Sequence, residues 1–300
     1  MTVRVPAKIN LQLAVGPLRP DGYHDLVTVF HAISLFDEVT VVPAASDAVT
    51  VSGEGAQDVP ANADNLALRA VSALRAAVGV TDAVRVTIRK RIPVAAGLAG
   101  GSADAAAALV ACDELWHAGL SREGLAELAA QVGSDVAFAL LGGTAVGRGR
   151  GELLSPALVS PATYHWVLAF ADGHLSTPAV YRALDRLRGG ETVPAPELSH
   201  ALMSALRSGD PERVGQALSN DLQAPAISLF PALRKTLLAG RELGALGALV
   251  SGSGPTCFFL ARDDGHAMDL AVQLSGAGVC RSVARASGPA AGASVIQSVA

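Results

Sequence analysis

The sequence predicts a mixed α+β fold, and three observations lead to this class. Several strand-like segments follow one another along residues 3–52, before any helical pattern begins. Strand and helix patterns then alternate, and helical patterns dominate residues 198–243. A doubly wound parallel sheet would instead alternate the two from the start. A stretch with two prolines, residues 155–161, predicts a boundary between two domains, 1–155 and 156–300.

The first half is predicted to combine six strands with three helices. The strands are predicted at residues 3–15, 26–35, 38–42, 48–52 and 84–88, with a further short strand between the glycines at 142–143 and 147–151. The helices are predicted at residues 65–78, 103–115 and 121–132, and a short apolar segment follows at 136–141. Asp64 is the predicted N-cap of the first helix. Pro20-Asp21-Gly22 is a strong turn signal after the first strand.

The second half is predicted to be richer in helices. Helical patterns cover residues 178–187, 198–243 and 268–275. The predicted strands lie at residues 165–171, 248–251, 256–261 and 279–284.

The composition excludes several classes of protein. Half of the 300 residues are hydrophobic and 17% are charged, which excludes disorder for most of the chain. The formal net charge of −4 argues against a nucleic-acid partner, and no apolar stretch is long enough to cross a membrane. The first residues lack the pattern of a secretory signal, so we expect a cytoplasmic protein. The three cysteines have no metal-ligand spacing.

A loop of small residues lies between a predicted strand and a strong helix, at residues 93–103. Small residues let the backbone approach a ligand, and the unpaired N–H groups of a helix start attract phosphate. The loop is neither a Walker A motif nor a GxGxxG motif. Two interpretations therefore stay open, a phosphate cradle and a plain tight connection with Ser102 as the N-cap.

Two charged residues are candidates for chemistry. Lys8 and Asn10 lie on one face of the first strand, which indicates either function or an edge lysine that discourages aggregation. Asp135 follows a Gly-Ser turn, which indicates either a general base or an ordinary N-cap.

A second glycine motif, residues 251–256, is a turn, a second anion site or a loop packed under the first. The remaining lysines, Lys90 and Lys235, are predicted to be solvated.

In this order, the segments resemble the GHMP kinase superfamily. The superfamily resemblance rests on the loop at 93–103 and the late glycine loop. Four motifs narrow it to the branch whose substrate carries a cytidine diphosphate: residues 6–11 (PAKINL), 19–24 (RPDGYH), 133–136 (GSDV) and 251–254 (SGSG). The resemblance implies an N-terminal ribosomal-protein-S5-like ATP-binding domain and a C-terminal ferredoxin-like α/β domain. It also implies ATP-dependent phosphorylation of the 2-hydroxyl group of the methylerythritol unit, a step of isoprenoid precursor synthesis.

The resemblance also implies the roles of individual residues. Asp135 is expected to be the base, with Lys8 beside it. The substrate is expected to contact Asn10, Tyr23, His24, Thr177 and Tyr181, with the cytosine ring between the two tyrosines. ATP is expected to contact Asn65, Leu66, Pro93, Val94, Ala95, Ala96, Gly97, Leu98, Ala99, Gly100, Gly101, Ser102 and Ala103. Mg²⁺ is expected with ATP; its ligands are not assigned, and Ser102 is the one candidate.

Two alternatives remain open for the function. The protein could be another small-molecule GHMP kinase, of the homoserine or mevalonate type, or a nucleotide-binding regulator without catalysis. The oligomer is expected to be a monomer or a homodimer. Ala96 and Ala99 stand where many relatives have glycine, so the loop is expected to keep its form if both have negative φ.

Overall fold

The structure, a computed structural model, describes residues 1–297. Within them the strands are β1 (Thr2–Leu18), β2 (His24–Ala44), β3 (Ala48–Gly53), β4 (Ala83–Lys90), β5 (Thr144–Gly149), β6 (Leu153–Pro156), β7 (Tyr164–Phe170), β8 (Ser219–Asn220), β9 (Gly247–Val250), β10 (Cys257–Ala261), β11 (Ser282–Gly288) and β12 (Ser294–Gln297). The helices are α1 (Leu66–Val78), α2 (Gly100–Trp116), α3 (Arg122–Val132), α4 (Val136–Leu141), α5 (Thr177–Arg188), α6 (His200–Ser208), α7 (Pro211–Ala217), α8 (Gln223–Leu229), α9 (Ala232–Glu242) and α10 (Asp264–Gly276).

Two sheets organise the chain, and the predicted α+β class is confirmed. The first sheet has the order β12-β1-β2-β4-β3, with β5 and β6 extending from β2 and the short β8 beside β1. The second sheet is antiparallel with the order β11-β7-β10-β9. Strands β8 and β12 lie beyond residue 156 in the chain but pair with β1. The division into residues 1–155 and 156–300 stays a prediction, and the first sheet draws strands from both sides of it.

Strand β2 is one continuous element of 21 residues, where the sequence predicts two strands. The predicted gap falls at Phe36 and Asp37. Asp37 is instead fully buried and accepts hydrogen bonds from Lys90 and from two backbone N–H groups. The register of β1 against β2 shifts next to Phe36, so the strand bends there without ending.

Two predicted helix caps are wrong. Helix α1 is capped by Asn65, whose side-chain oxygen accepts from the Ala67 N–H at 2.9 Å, and Asp64 lies outside the helix. Helix α2 begins at Gly100 with Ala99 as its N-cap, so Ser102 lies inside the first turn. The sequence pattern could not distinguish neighbouring Asp and Asn residues, since both are good caps.

Helix α2 forms the centre of the first half and sets the position of the loop before it. Of its 17 residues, 11 are buried, and it packs against α1, α3, β1 and β2. The run Ala105–Ala108 gives it a slim profile that fits between these layers. Within residues 1–297, no helix is both long and apolar enough to span a lipid bilayer.

Candidate active site

A cleft of about 1010 Å³ brings together most of the predicted site residues. It lies between β1, the loop before α2, the start of α4, helix α5 and the loop after β9. The predicted residues that line it are Lys8, Asn10, Tyr23, His24, Leu66, Ala95, Gly97, Ala99, Gly100, Gly101, Ser102, Asp135, Thr177 and Tyr181. Those that do not line it are Asn65, Pro93, Val94, Ala96, Leu98 and Ala103.

Lys8 and Asp135, which both line this cleft, form an ion pair. The Lys8 Nζ atom lies 3.7 Å from Asp135 Oδ2, and the two side chains are 9% and 30% exposed. Asp135 occupies the N-cap position of α4, but its side chain makes no capping hydrogen bond. Burial of Lys8 contradicts the edge-lysine interpretation, and the uncapped carboxylate of Asp135 faces the cleft instead. A partly exposed carboxylate beside a buried cation can accept a proton from a bound alcohol.

Asn10 holds the Lys8 ammonium in place. Its Oδ1 accepts from Lys8 Nζ at 2.8 Å, and its Nδ2 donates to Thr28 Oγ1 at 2.8 Å. The Thr28 hydroxyl donates in turn to the Gln12 carbonyl oxygen at 2.7 Å. Each polar atom of the Asn10 side chain therefore has a protein partner. Its predicted contact with cytidine stays a prediction, while its contact with Lys8 is part of the observed geometry.

The loop at residues 93–103, called the phosphate loop from here on, has an unusual backbone. Ala95, Gly97 and Ala99 have φ values of 50°, 76° and 58°, in the left-handed region. The condition of negative φ is therefore not met at Ala99, whereas Ala96 is outside the left-handed region. A left-handed alanine costs about 1–2 kcal/mol relative to the right-handed form. The loop keeps this form because its surroundings are packed tightly enough to hold it.

The second glycine loop, residues 251–254, packs directly against the phosphate loop. Ser251 Oγ donates to the Gly97 carbonyl oxygen at 3.0 Å. A Cβ atom on Gly97 would collide with the Ser251 carbonyl oxygen, so only glycine fits there. Of the three interpretations of this motif, the structure therefore supports a loop packed against the first. Ser253 also shares a 2.8 Å hydrogen bond with Thr177, which joins this loop to α5.

An aromatic cluster of Tyr23, His24 and Tyr181 lines the same cleft. The rings of His24 and Tyr181 stack with centroids 5.2 Å apart, and His24 Nε2 lies 2.9 Å from Asp185 Oδ1. Burial raises the pKa of the Tyr181 hydroxyl, and the nearby Asp135 adds to this effect. Tyr23 is 54% exposed, with the Arg150 guanidinium 4.8 Å from its ring centre. The cluster presents flat rings and hydrogen-bonding groups to the cleft.

Sequence reasoning missed three residues of this region, Thr28, Asp185 and Arg150. All three line the cleft. Asp185 follows Tyr181 by four positions on the same helix, and residues at that spacing share a helix face, so the sequence did carry a signal for it. Thr28 and Arg150 reach the site through strand pairing and a turn, which no local pattern reveals.

Lys90 is buried, and its predicted solvated position is wrong. Its side chain is 1% exposed and forms ion pairs with Asp37 at 2.5 Å and with Asp104 at 2.7 Å. The alternation of β4 explains this, because residues 84, 86, 88 and 90 all lie on its buried face. The same alternation is visible in the sequence and would place Lys90 on the buried face. The prediction followed the charge of Lys90 instead of this pattern.

The described residues fit a magnesium ion that is bound together with a phosphate ligand. Residues 1–297 contain no group of three or more His, Cys, Asp or Glu side chains that could hold a metal alone. Mg²⁺ is usually held by one or two protein oxygens together with substrate phosphates and water. Ser102 and Asp135 supply oxygen donors in the same cleft as the phosphate loop. The donor set therefore suits a metal that arrives with its nucleotide.

Comparisons with known proteins identify the family. The descriptions "GHMP kinases N terminal domain" and "GHMP kinases C terminal" match residues 65–143 and 202–280. The chain is 58% identical to the 4-diphosphocytidyl-2-C-methyl-D-erythritol kinase of Nocardia farcinica, over 98% of this chain and 95% of that protein. It is 56% identical to the protein of that name from Mycolicibacterium smegmatis, over 99% of this chain and 92% of that protein.

Solved structures agree with this assignment. A crystal structure of 4-(cytidine 5'-diphospho)-2C-methyl-D-erythritol kinase matches with a TM-score of 0.77 and 37% identity, over 96% of this chain and 98% of that chain. A homoserine kinase from Cytophaga hutchinsonii matches with a TM-score of 0.75 over 99% of this chain and 97% of that chain, but at 18% identity it shares the fold alone. The predicted resemblance is confirmed: the chain belongs to the GHMP kinases and, within them, to the family of 4-diphosphocytidyl-2-C-methyl-D-erythritol kinases.

Proposed function

We propose that this protein transfers the γ-phosphoryl group of ATP to the 2-hydroxyl group of 4-(cytidine 5'-diphospho)-2-C-methyl-D-erythritol, in isoprenoid precursor synthesis. The observation that carries this proposal is the arrangement of the cleft. The Lys8–Asp135 pair shares one cleft with the phosphate loop and the aromatic cluster: the Lys8 N–H donates to the Leu98 carbonyl oxygen at 3.2 Å, and Asp135 is near enough to Tyr181 to affect its pKa. The names of the close relatives support the same substrate. We further propose that the reaction takes place in the cytoplasm.

In this mechanism Asp135 is the general base. Its carboxylate accepts the proton of the acceptor hydroxyl while the hydroxyl oxygen attacks the γ-phosphorus. The bond to the bridging oxygen breaks, and ADP leaves. The Lys8 ammonium, 3.7 Å from Asp135, orients the acceptor oxygen and offsets the negative charge of the transferring group. Asn10 fixes the ammonium through its 2.8 Å hydrogen bond, so Lys8 needs no rearrangement during the reaction.

The phosphate loop and the start of α2 bind the ATP phosphates in this proposal. The first N–H groups of α2, from Gly100 to Ser102, have no partners within the helix and lie at the cleft. Mg²⁺ bound with ATP would offset the charge on the transferring phosphoryl group. The Ser102 hydroxyl is the protein ligand we propose for it, with phosphate oxygens and water completing the coordination. Leu66 lines the same side of the cleft and would contact the adenine.

The aromatic cluster binds the cytidine in this proposal. A pyrimidine ring stacks well on tyrosine, and His24 offers hydrogen-bonding nitrogens beside it. The exposed Tyr23 and the largely buried Tyr181 are the two stacking partners that we propose, with His24 and Thr177 fixing the ring and its sugar. Asn65 contributes its cap to α1, and its predicted contact with ATP stays a prediction.

The test measures turnover of the purified protein with ATP, Mg²⁺ and the cytidine substrate. We expect ADP and the 2-phosphate in equal amounts. Asp135→Asn should lower kcat on the order of 10³-fold, because it removes the base while keeping the shape of the side chain. Asp269→Asn is the matched control, since Asp269 is exposed on α10 and should leave kcat unchanged.

Two outcomes would overturn the proposal. Turnover of homoserine or mevalonate, but not of the cytidine substrate, would identify another kinase activity; Tyr23→Ala should then leave KM unchanged. Binding of ATP without turnover of any of these alcohols would identify a regulator without catalysis.

A further inference from the structure

A buried ion pair joins the two ends of the phosphate loop. Lys90 is the last residue of β4, just before the loop, and Asp104 lies in the second turn of α2, just after it. Their side chains meet at 2.7 Å and are 1% and 4% exposed. The segment that lines the ATP side of the cleft is therefore closed at its base by one contact.

Asp37 adds a third attachment at the entrance of the loop. One of its oxygens accepts from Lys90 Nζ, and the other accepts from the backbone N–H groups of Arg91 at 2.6 Å and Ile92 at 2.9 Å. A carboxylate that accepts three donors fixes all of them in position. Because Asp37 belongs to β2, the start of the loop is attached to the first sheet.

The Lys90 ammonium also lies directly against the start of α2. A Cβ atom on Gly100 would be 3.0 Å from Lys90 Nζ and 3.1 Å from Ile92 Cγ2. Gly100 is the first residue of the helix and lines the cleft. A shift of the ammonium would therefore move the N–H groups that face the ATP phosphates. Ala95 and Ala99 of this loop have left-handed backbone, which is strained for alanine. Strained backbone persists only where its surroundings hold it, so the loop needs fixed contacts such as this one.

The three side chains also balance their charge. Two carboxylates and one ammonium would carry a net charge of −1, which is costly in a buried place. Burial and the neighbouring Asp37 raise the pKa of Asp104 far above its usual range, although Lys90 opposes them. The two carboxylates in turn raise the pKa of Lys90 against the effect of burial. Both shifts favour a cluster that shares one proton and so avoids a net buried charge.

We propose that Lys90, Asp37 and Asp104, named here the loop clamp, are positioning residues that hold the phosphate loop in the form that binds ATP. None of the three lines the cleft, so they act through the loop and not on the ligand. The loop clamp sets the affinity for ATP and leaves the affinity for the cytidine substrate unchanged. This inference rests on the proposed function in one respect, that the ATP phosphates bind at this loop.

The main test compares Asp104→Ala with Asp104→Asn. The alanine variant leaves Lys90 and Asp37 as a neutral pair, so it removes the link to α2 without leaving an unpaired buried charge. We expect its KM for ATP to rise about tenfold or more, because small misplacements of binding groups have large effects. KM for the cytidine substrate should stay within about twofold. Asp104→Asn keeps an oxygen for Lys90 and should recover most of the affinity for ATP.

Lys90→Met is the second variant, and Lys235→Met is its matched control on the exposed face of α9. A merely structural role would lower the amount of active enzyme and leave both KM values unchanged. If Asp104→Ala keeps the wild-type KM for ATP, the proposal is overturned, whatever Lys90→Met does. Calorimetry with a non-hydrolysable ATP analogue separates this result from failure of the proposed function. Wild-type protein that binds the analogue without turnover would contradict the function, while the loop clamp would still be judged by the affinity of the two Asp104 variants.

Discussion

Lys8 and Lys90 are both buried beside carboxylates, yet their surroundings differ in one respect. Lys90 is sealed between two carboxylates that are 0% and 4% exposed, at 2.5 and 2.7 Å. Lys8 lies 3.7 Å from Asp135, whose side chain is 30% exposed, and its closest partner is the neutral Asn10. A lysine whose charge is fully matched supports the fold. A lysine held by a neutral amide keeps charge available for a substrate.

The largest expected effect tests the Lys8 side of this comparison. Lys8→Met should lower kcat on the order of 10³-fold, because it removes the cation from the site of phosphoryl transfer. Its free energy of unfolding should fall by about 1–3 kcal/mol at most, because the buried Asn10 Oδ1 loses its donor while Nδ2 keeps its bond to Thr28. Steady-state kinetics together with urea denaturation measure both quantities. A large loss of stability with normal kcat would reverse the roles assigned to the two lysines.

The Lys90 side should respond through stability. Lys90→Met leaves two carboxylates without their cation, and removing one partner of a buried pair costs about 3–5 kcal/mol. The urea midpoint measures this loss, with Lys235→Met expected to match the wild type. A loss below about 1 kcal/mol, the range of a surface pair, would contradict the burial of this cluster.

A smaller effect depends on pH. The pKa of Asp104 is raised from 3.8 to about 8 in the folded protein, so its stabilising contribution is complete below pH 3.8. That contribution is lost as the pH rises through the folded value of about 8. Asp104→Asn should therefore gain stability relative to the wild type between pH 5 and pH 8. Urea midpoints of the two proteins at several pH values give this difference, in which other groups such as the buried His31 cancel.

The smallest expected effect concerns the backbone of the phosphate loop. Ala99→Gly should keep or raise the free energy of unfolding, by up to about 1 kcal/mol, because glycine adopts positive φ without strain. Ala96→Gly is the matched control and should lower it by about 0.5–1 kcal/mol, since Ala96 is buried and outside the left-handed region. Equal effects of the two changes in thermal unfolding would contradict the backbone described for Ala99.

The periodic parts of the fold were predictable, and the polar interior was less so. Alternation identified β4, and helical spacing identified α1 and α3, because regular elements repeat their burial along the chain. The prediction of β2 failed at Asp37 because the burial of this residue depends on a distant partner and not on a local repeat. That partner, Lys90, lies 53 residues away along the chain. A buried charge resembles a surface residue in the sequence until its partner is known.

The candidate site also has a part that could be predicted from the sequence and a part that could not. The family resemblance that the motifs carry implies that Lys8, Asp135 and the phosphate loop share one site, and residues of all three line the cleft. Thr28 was missed because its role depends on the pairing of β1 with β2. The backbone of Ala99 was missed because alanine rarely adopts that form, and only the packing of the whole loop reveals it.

The pairing of strand β1 affects how the protein folds while it is being translated. Its outer edge is covered in three pieces, by β12 at Thr2–Arg4, by the Leu98 carbonyl oxygen at Lys8 and by β8 at Gln12–Leu13. On the ribosome, the first of these places stays open until residues 294–297 have emerged. The nascent chain therefore exposes part of its first strand until β12 has been made, and an unpaired edge can join to a neighbouring chain. Completion of the sheet that carries Lys8 therefore has to wait for β12, although β1 is made first.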